Sequence, residues 1–289
     1  MTAPDLAWRC VWRAETLLGE GPIYDRRDNA LYFVDIKRPR LNRFALDQNR
    51  CSSWEMPEPI GWVAPRANEK GFVAGFKSGF ALLDLDPFAI TAIGAPEPER
   101  PGNRLNDAKV DHQGRLWAGS MDDDERAQSG ALYRLDADFS WRRMDDGYGV
   151  ANGPAFSPAG DILYHADSAK RIIYSFALSA DGALGPRRTF VQFPDDWGYP
   201  DGMTTDAQGG LWVAHWDGGR ISRFHPDGAL DRSIALPVSR PTSCAFASDR
   251  LERLFVTSAR LGCEHEPLAG GLFELDVGAT GSAVAAFAG

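Results

Sequence analysis

Cysteine is scarce in this 289-residue chain, with Cys10, Cys51, Cys244 and Cys263 making the whole set. No CxxC pair occurs among them, which argues against the common structural zinc modules. Four thiols in so long a chain read as reduced, the state kept in the cytoplasm. Histidine is nearly as rare: His112, His165, His215, His225 and His265 are scattered and form no HExxH. The chain also lacks a GxSxG elbow, a P-loop and a dinucleotide-binding glycine fingerprint. No run of about 18 apolar residues is present, as a membrane-spanning helix requires. Residues 1–20 lack the apolar core of a secretory leader. Lys/Arg blocks are absent, and acidic residues outnumber basic ones by 40 to 31, for a net charge of −9. Nucleic acid is therefore an unsuitable partner. The expectation is one domain over residues 1–289, cytoplasmic and monomeric, with no membrane or nucleic-acid partner.

Helical periodicity is nearly missing too, and what replaces it is a repeat. Short β-rich runs recur: Leu31–Asp35, Gly71–Gly75, Leu116–Ser120, Leu163–Asp167, Leu211–His215 and Leu254–Ser258. The marker residues Phe33, Val73, Trp117, Tyr164, Trp212 and Phe255 are separated by 40, 44, 47, 48 and 43 positions. This is the length of one four-stranded propeller blade. A second β-rich run follows each marker, for example Leu41–Ala45 and Gly130–Arg134. Turn dipeptides such as Gln113-Gly114 and Gln208-Gly209 precede most markers. Each unit reads as three strands with a fourth less distinct. Six units predict an all-β, six-bladed β-propeller, which leaves only short sheet edges. The apolar run Trp8–Trp12 precedes the first unit and is expected to pair with the last blade and latch the ring. Pro-rich 95–101 reads as a loop within the ring. A layered sandwich is the competing architecture.

Each unit should begin with the strand nearest the central channel. Counting back 11 to 13 residues from the markers reaches Glu20, Gly61, Asn106, Asn152, Asp201 and Thr242. Equivalent positions in a propeller lie on one ring, and four of these six carry an amide or carboxylate oxygen. Each of the pairs Glu-Gly, Asn-Gly and Asp-Gly, taken alone, reads as a turn. Their shared place in the repeat points instead to oxygens converging on a hard divalent cation such as Ca²⁺, Mg²⁺ or Mn²⁺. His165 and His215 sit on matching marker strands and could face the channel, although a satisfied structural role suits each better.

An ordered series of segments resembles one known family: Leu18–Pro22, Asn103–Asp107, Gly114–Gly119, Gly130–Tyr133, Asn152-Gly153, Pro200–Met203, Gly209–Ala214 and Ala269–Phe273. It is the family of gluconolactonase, senescence marker protein (regucalcin) and luciferin-regenerating enzyme. Tyr199–Gly202 and Tyr164–Asp167 look most similar to bacterial sugar-acid lactonases such as xylonolactonase. The resemblance implies a six-bladed propeller with one catalytic divalent metal ion (Ca, Zn, Mn, Mg or Fe(II)). The family's ligands fall on Glu20, Asn152 and Asp201, and its substrate-contacting Arg and Asn on Arg104 and Asn106. Its substrate-contacting Glu has Glu125 as counterpart, in a loop (121–129) that differs in length and composition.

The expected reaction is metal-dependent hydrolysis of a sugar lactone to the aldonic acid, with xylono-, arabinono- or gluconolactone as examples. Asp201 is the expected base as well as a ligand. Arg104 can only donate hydrogen bonds, whereas Asn106 can donate and accept. Two rivals share the scaffold. One is a metal-dependent aryl esterase or phosphotriesterase, and the other is a non-enzymatic calcium-binding regulator.

Overall fold

A computed structural model describes residues 8–289. Among them are six four-stranded antiparallel sheets. Blade 1 comprises Gly19–Asp25, Ala30–Asp35, Arg40–Ala45 and Arg50–Glu55; blade 2 comprises Ile60–Pro65, Phe72–Phe76, Gly79–Leu85 and Phe88–Gly94. Blade 3 comprises Asn103–Val110, Leu116–Asp122, Gly130–Leu135 and Trp141–Tyr148; blade 4 comprises Ala151–Phe156, Ile162–Asp167, Ile172–Ala177 and Arg188–Gln192. Blade 5 comprises Tyr199–Thr205, Leu211–Trp216, Arg220–Phe224 and Leu230–Ala235. Blade 6 comprises Pro241–Ala247, Arg253–Ser258 and Leu272–Leu275, completed by Trp8–Trp12 from the other end of the chain. Each first strand touches the first strands of both neighbouring blades, and the sixth touches the first, so the sheets close into a ring. This is a six-bladed β-propeller.

The marker residues all lie on second strands. These strands are buried on both faces, which explains their continuous apolar character. The fourth strands are largely exposed, so no apolar alternation marks them in the sequence. The latch forms as expected, with Trp8 opposite Leu275 and Cys10 opposite Phe273. It joins the two ends of the chain within one sheet and so gives blade 6 its outer strand.

Aspartates fasten the turns between first and second strands. In blade 5 the buried Asp206 accepts hydrogen bonds from the backbone N–H of Gly210 (2.8 Å), from Trp212 Nε1 (2.9 Å) and from Arg223 Nε (2.6 Å). Asp111 repeats the device in blade 3, accepting from Trp117 Nε1 at 2.8 Å. The segments Asp111–Trp117 and Asp206–Trp212 therefore encode one turn: the aspartate satisfies the backbone while an apolar tryptophan packs between blades.

All six first strands carry a register shift where the slot residues lie, for instance between Glu20 and Ile23, Leu105 and Ala108, and Asn152 and Ala155. A bulge adds twist and re-aims side chains. Gly21 (φ 56°) and Gly153 (φ 75°) supply the left-handed backbone just after Glu20 and Asn152. Gly61 has another purpose: a Cβ there would stand 2.7 Å from the Asn106 carbonyl oxygen, so glycine lets blades 2 and 3 approach.

Candidate active site

The slot residues take different roles. Glu20, Asn106, Asn152 and Asp201 line one cavity of about 80 Å³ on the channel axis, together with Arg104 and Glu125. All six residues singled out in the sequence thus meet at one place. Gly61 serves packing, and Thr242 is turned away, hydrogen-bonding the Gly19 carbonyl and sharing a 2.9 Å contact with the Thr257 hydroxyl. Leu18, Met121, Val150 and Trp216 give the cavity an apolar wall. Such a wall lowers the local dielectric and strengthens electrostatic interactions inside.

A hydrogen-bond relay orients the polar groups across the blades. Ser168 Oγ donates to the Pro200 carbonyl (2.5 Å) and accepts from Asn152 Nδ2 (2.9 Å). Asn152 Oδ1 then accepts from Asn106 Nδ2 (2.9 Å), which also donates to the Ala151 carbonyl (2.8 Å). Asn106 Oδ1 accepts from Arg104 Nη1 at 2.6 Å. Arg104 Nε donates to Asp123 at 2.8 Å, and Asp123 also takes Lys37 (2.9 Å) and Lys77 (3.2 Å). The relay fixes the Asn152 amide so that its oxygen keeps a lone pair free. It also occupies both ends of the Asn106 amide, which places Asn106 as the tie between Arg104 and Asn152.

The carboxylates are perturbed together. Glu20 is pushed up to about 8, first by burial and then by the charge of Asp107. Asp107 is pushed up to about 6 by burial, against the opposing charge of Lys109. Asp201 is raised well above its ordinary value by burial, then by Glu20 and Asp107. Asp201 Oδ1 and Asp107 Oδ2 are buried with no hydrogen-bond partner. A positive charge in the cavity would relieve this strain. Among the described residues no three His, Cys, Asp or Glu side chains gather as a ligand cluster. The candidate set is instead two carboxylates and an oriented amide oxygen, an all-oxygen set that suits a hard cation. With an orphaned oxygen on Asp201, the residues present fit a divalent ion.

Glu125 lies at φ 57° in the 123–129 loop, which is held by backbone N–H donation from Arg126 (2.9 Å) and Ala127 (3.0 Å) to the Asp122 carboxylate. Its charge reaches Asp201. The sequence reading missed Asp107, although it directly follows the slot residue Asn106. It also missed Asp123, and it missed Ser168 and Trp216, although both lie four residues after their markers, Tyr164 and Trp212, as does the cavity residue Met121 after Trp117.

Neither channel histidine option materialises, since His165 and His215 do not line this cavity. His215 stacks on Phe193 with ring centroids 4.5 Å apart, and its Nδ1 lies 2.9 Å from the Trp197 carbonyl oxygen. His165 departs from the satisfied role expected for it. Both of its ring nitrogens are buried without a partner, and burial lowers its pKa to about 4, so the ring is neutral at pH 7. All four cysteines are unpaired, and no helix among the described residues is long and apolar enough to cross a membrane.

Comparison with known proteins agrees with this architecture. Residues 18–260 match the SMP-30/Gluconolactonase/LRE-like region family model. The chain is 35% identical to the 6-deoxy-6-sulfogluconolactonase of Pseudomonas putida, over 97% of this chain and 98% of that one. It is 37% identical to the L-arabinolactonase of Azospirillum brasilense, covering 94% of this chain and 92% of that protein. Among solved structures, the calcium-binding protein regucalcin of Agrobacterium tumefaciens superposes with a TM-score of 0.93 at 26% identity, over 98% of this chain and 97% of that one. With most of its length matched by the family model and relatives aligned nearly end to end, the chain belongs to the SMP-30/gluconolactonase/LRE-like family.

Proposed function

We propose that the chain hydrolyses a sugar lactone to its aldonic acid, using a divalent cation held by Glu20, Asn152 and Asp201. The carrying observation is the single cavity that joins these three oxygen donors to Arg104. The two lactonase relatives support the reaction class, and the calcium-binding regucalcin neighbour supports a cation. When bound, such an ion supplies Lewis acidity toward the lactone carbonyl and lowers the pKa of an adjacent water.

The chain's own groups provide the rest. Arg104 spends Nε on Asp123 and Nη1 on Asn106. This leaves Nη2 to donate to a ring or hydroxyl oxygen of the lactone, or to the carboxylate formed on opening. Asn106 holds that guanidinium in place. Asp201, whose Oδ1 has no competing hydrogen bond, would help hold the ion, and its carboxylate can take a proton from the attacking water. Leu18, Val150 and Trp216 limit bulk water around the developing oxyanion. Glu125 stands at the cavity edge, where its carboxylate can accept from a sugar hydroxyl.

The test is a pH-stat assay on pentono- and hexonolactones after metal stripping and after re-addition of Ca²⁺, Mn²⁺, Zn²⁺, Mg²⁺ or Fe²⁺. Turnover of at least one sugar lactone, lost on stripping and restored by an ion, is the expected result. Higher kcat/KM on aryl esters or phosphotriesters than on every sugar lactone would reverse the assignment. Cation binding without any turnover would leave a regulator.

A further inference from the structure

Below the carboxylates the channel is closed by the C-terminal segment. Ser282 N donates to the Thr205 carbonyl (3.0 Å), Phe287 N to Pro65 (2.8 Å) and Ala288 N to Gly114 (2.9 Å). Pro65 and Thr205 end their first strands, whereas Glu20 and Asn152 lie near the beginnings of theirs. The segment therefore crosses the face opposite the candidate active site. Beneath it lies a second cavity of about 210 Å³.

The charge of this cavity is unlike that of the chain as a whole. Arg26, Arg27, Arg66 and Lys109 line it against one acid, Asp25. Two of the cations are already used: Arg27 Nη2 pairs with Asp25 at 2.6 Å, and Arg66 Nε donates to the Gly289 carbonyl at 3.0 Å. The other two are not. Lys109 is only 6% exposed, yet among the described residues its ammonium has no hydrogen bond and no ion pair within 4.0 Å. Arg26 is exposed at the cavity rim, also without a partner among those residues. The ammonium opens into the cavity it lines and has no direct partner there, so it is free to take an anion from that side. Asp107 and Glu20 feel the charge of Lys109 from above, but neither pairs with it. The remaining wall is apolar, including Ile23, Phe246 and Val284. An inorganic anion would leave that wall wet, and a polyol would leave Lys109 uncompensated.

We infer that this lower cavity binds a small organic carboxylate, with the carboxylate on Lys109 and Arg26 and an apolar body against Ile23, Phe246 and Val284. The volume is about seven times the roughly 30 Å³ share of one liquid water, room for an acid with a single ring. The site is separate from the lactone cavity, and its occupant is not the lactone substrate.

Benzoate is a suitable probe, titrated calorimetrically into the full-length protein without lactone, at ionic strength matched with chloride. Saturable binding with Kd of about 1 mM or tighter is expected. Lys109→Met should weaken it at least about tenfold. Val284→Trp should fill the cavity and abolish binding; Val284 is 40% exposed, so this variant carries the test if Lys109→Met fails to fold. Inorganic phosphate should bind more weakly than benzoate. The inference is overturned by absence of saturation at about 10 mM benzoate, or by unchanged affinity in the folded variants. It is also overturned if phosphate binds as well as benzoate and ignores Val284→Trp, the behaviour of an unspecific cationic patch. None of these outcomes depends on lactone turnover.

Discussion

Glu20→Gln should reverse its effect on stability according to whether a cation is present. Glu20 is fully buried beside other carboxylates and is pushed up to about 8 from an ordinary value of 4.5. In metal-free protein the native state keeps this proton between those two pH values, while the unfolded chain releases it. The unfolded state then binds fewer protons, so stability falls as pH rises, by up to about 1.4 kcal/mol per pH unit. Below about 4.5 both states are protonated and nothing is lost; above about 8 both are ionised and the full penalty stands. Across the window the group removes on the order of 3–5 kcal/mol. Glutamine keeps the shape without the charge. In EDTA the variant should therefore match wild type near pH 5 and exceed it at pH 8. A divalent ion at 100 times its Kd adds about 2.7 kcal/mol to the protein that binds it. Wild type should gain this and the variant should gain far less, so the order at pH 8 narrows or inverts. Urea unfolding of both proteins at several pH values, with EDTA and with each ion, measures all of these differences. A variant destabilised equally at every pH, and stabilised by metal as much as wild type, would refute both the buried ionisation and the ligand assignment.

Asp201→Asn should keep one ligand oxygen but lose the proton acceptor, so kcat on the preferred lactone stays about 10²-fold low even at calorimetrically verified metal saturation; full rescue by metal would leave Asp201 as ligand only. Asn106→Ala should lower kcat/KM more than it lowers thermal stability, because it frees both Arg104 and the Asn152 amide, and an unchanged kcat/KM would show the tie to be dispensable. Asp206→Ala leaves Arg223 and Trp212 Nε1 without their buried acceptor and should cost about 3–5 kcal/mol by urea unfolding, far from the site and with little change in KM. Deleting residues 1–12 strips blade 6 of its outer strand; a lower urea midpoint and concentration-dependent association by size-exclusion chromatography are expected.

The repeat was legible in the sequence because second strands are buried on both faces, so Phe33, Trp117 and Trp212 recur in continuous apolar surroundings. The latch was legible differently, as a largely apolar run with no other partner, although as an outer strand it is only half-buried. Fourth strands such as Leu230–Ala235 face solvent, and solvent imposes no pattern on side chains. Glu20, Asn106, Asn152 and Asp201 could be found because ring symmetry turns an equal position in the repeat into one place in space. Gly61 and Thr242 share that position, yet only backbone approach and a neighbouring carbonyl decide that they serve packing. Asp107 escaped notice because it follows the slot residue, and only the bulge between Leu105 and Ala108 brings a second carboxyl into the same buried region. The relay from Ser168 to Asp123, the orphaned oxygen of Asp201 and the unpartnered Lys109 belong to tertiary structure alone. Hydrogen bonds and charge pairs act over a few ångströms, and their partners here come from different blades. Strand pattern is a local consequence of which face meets water, whereas the meaning of a buried polar group depends on neighbours that only the closed ring supplies.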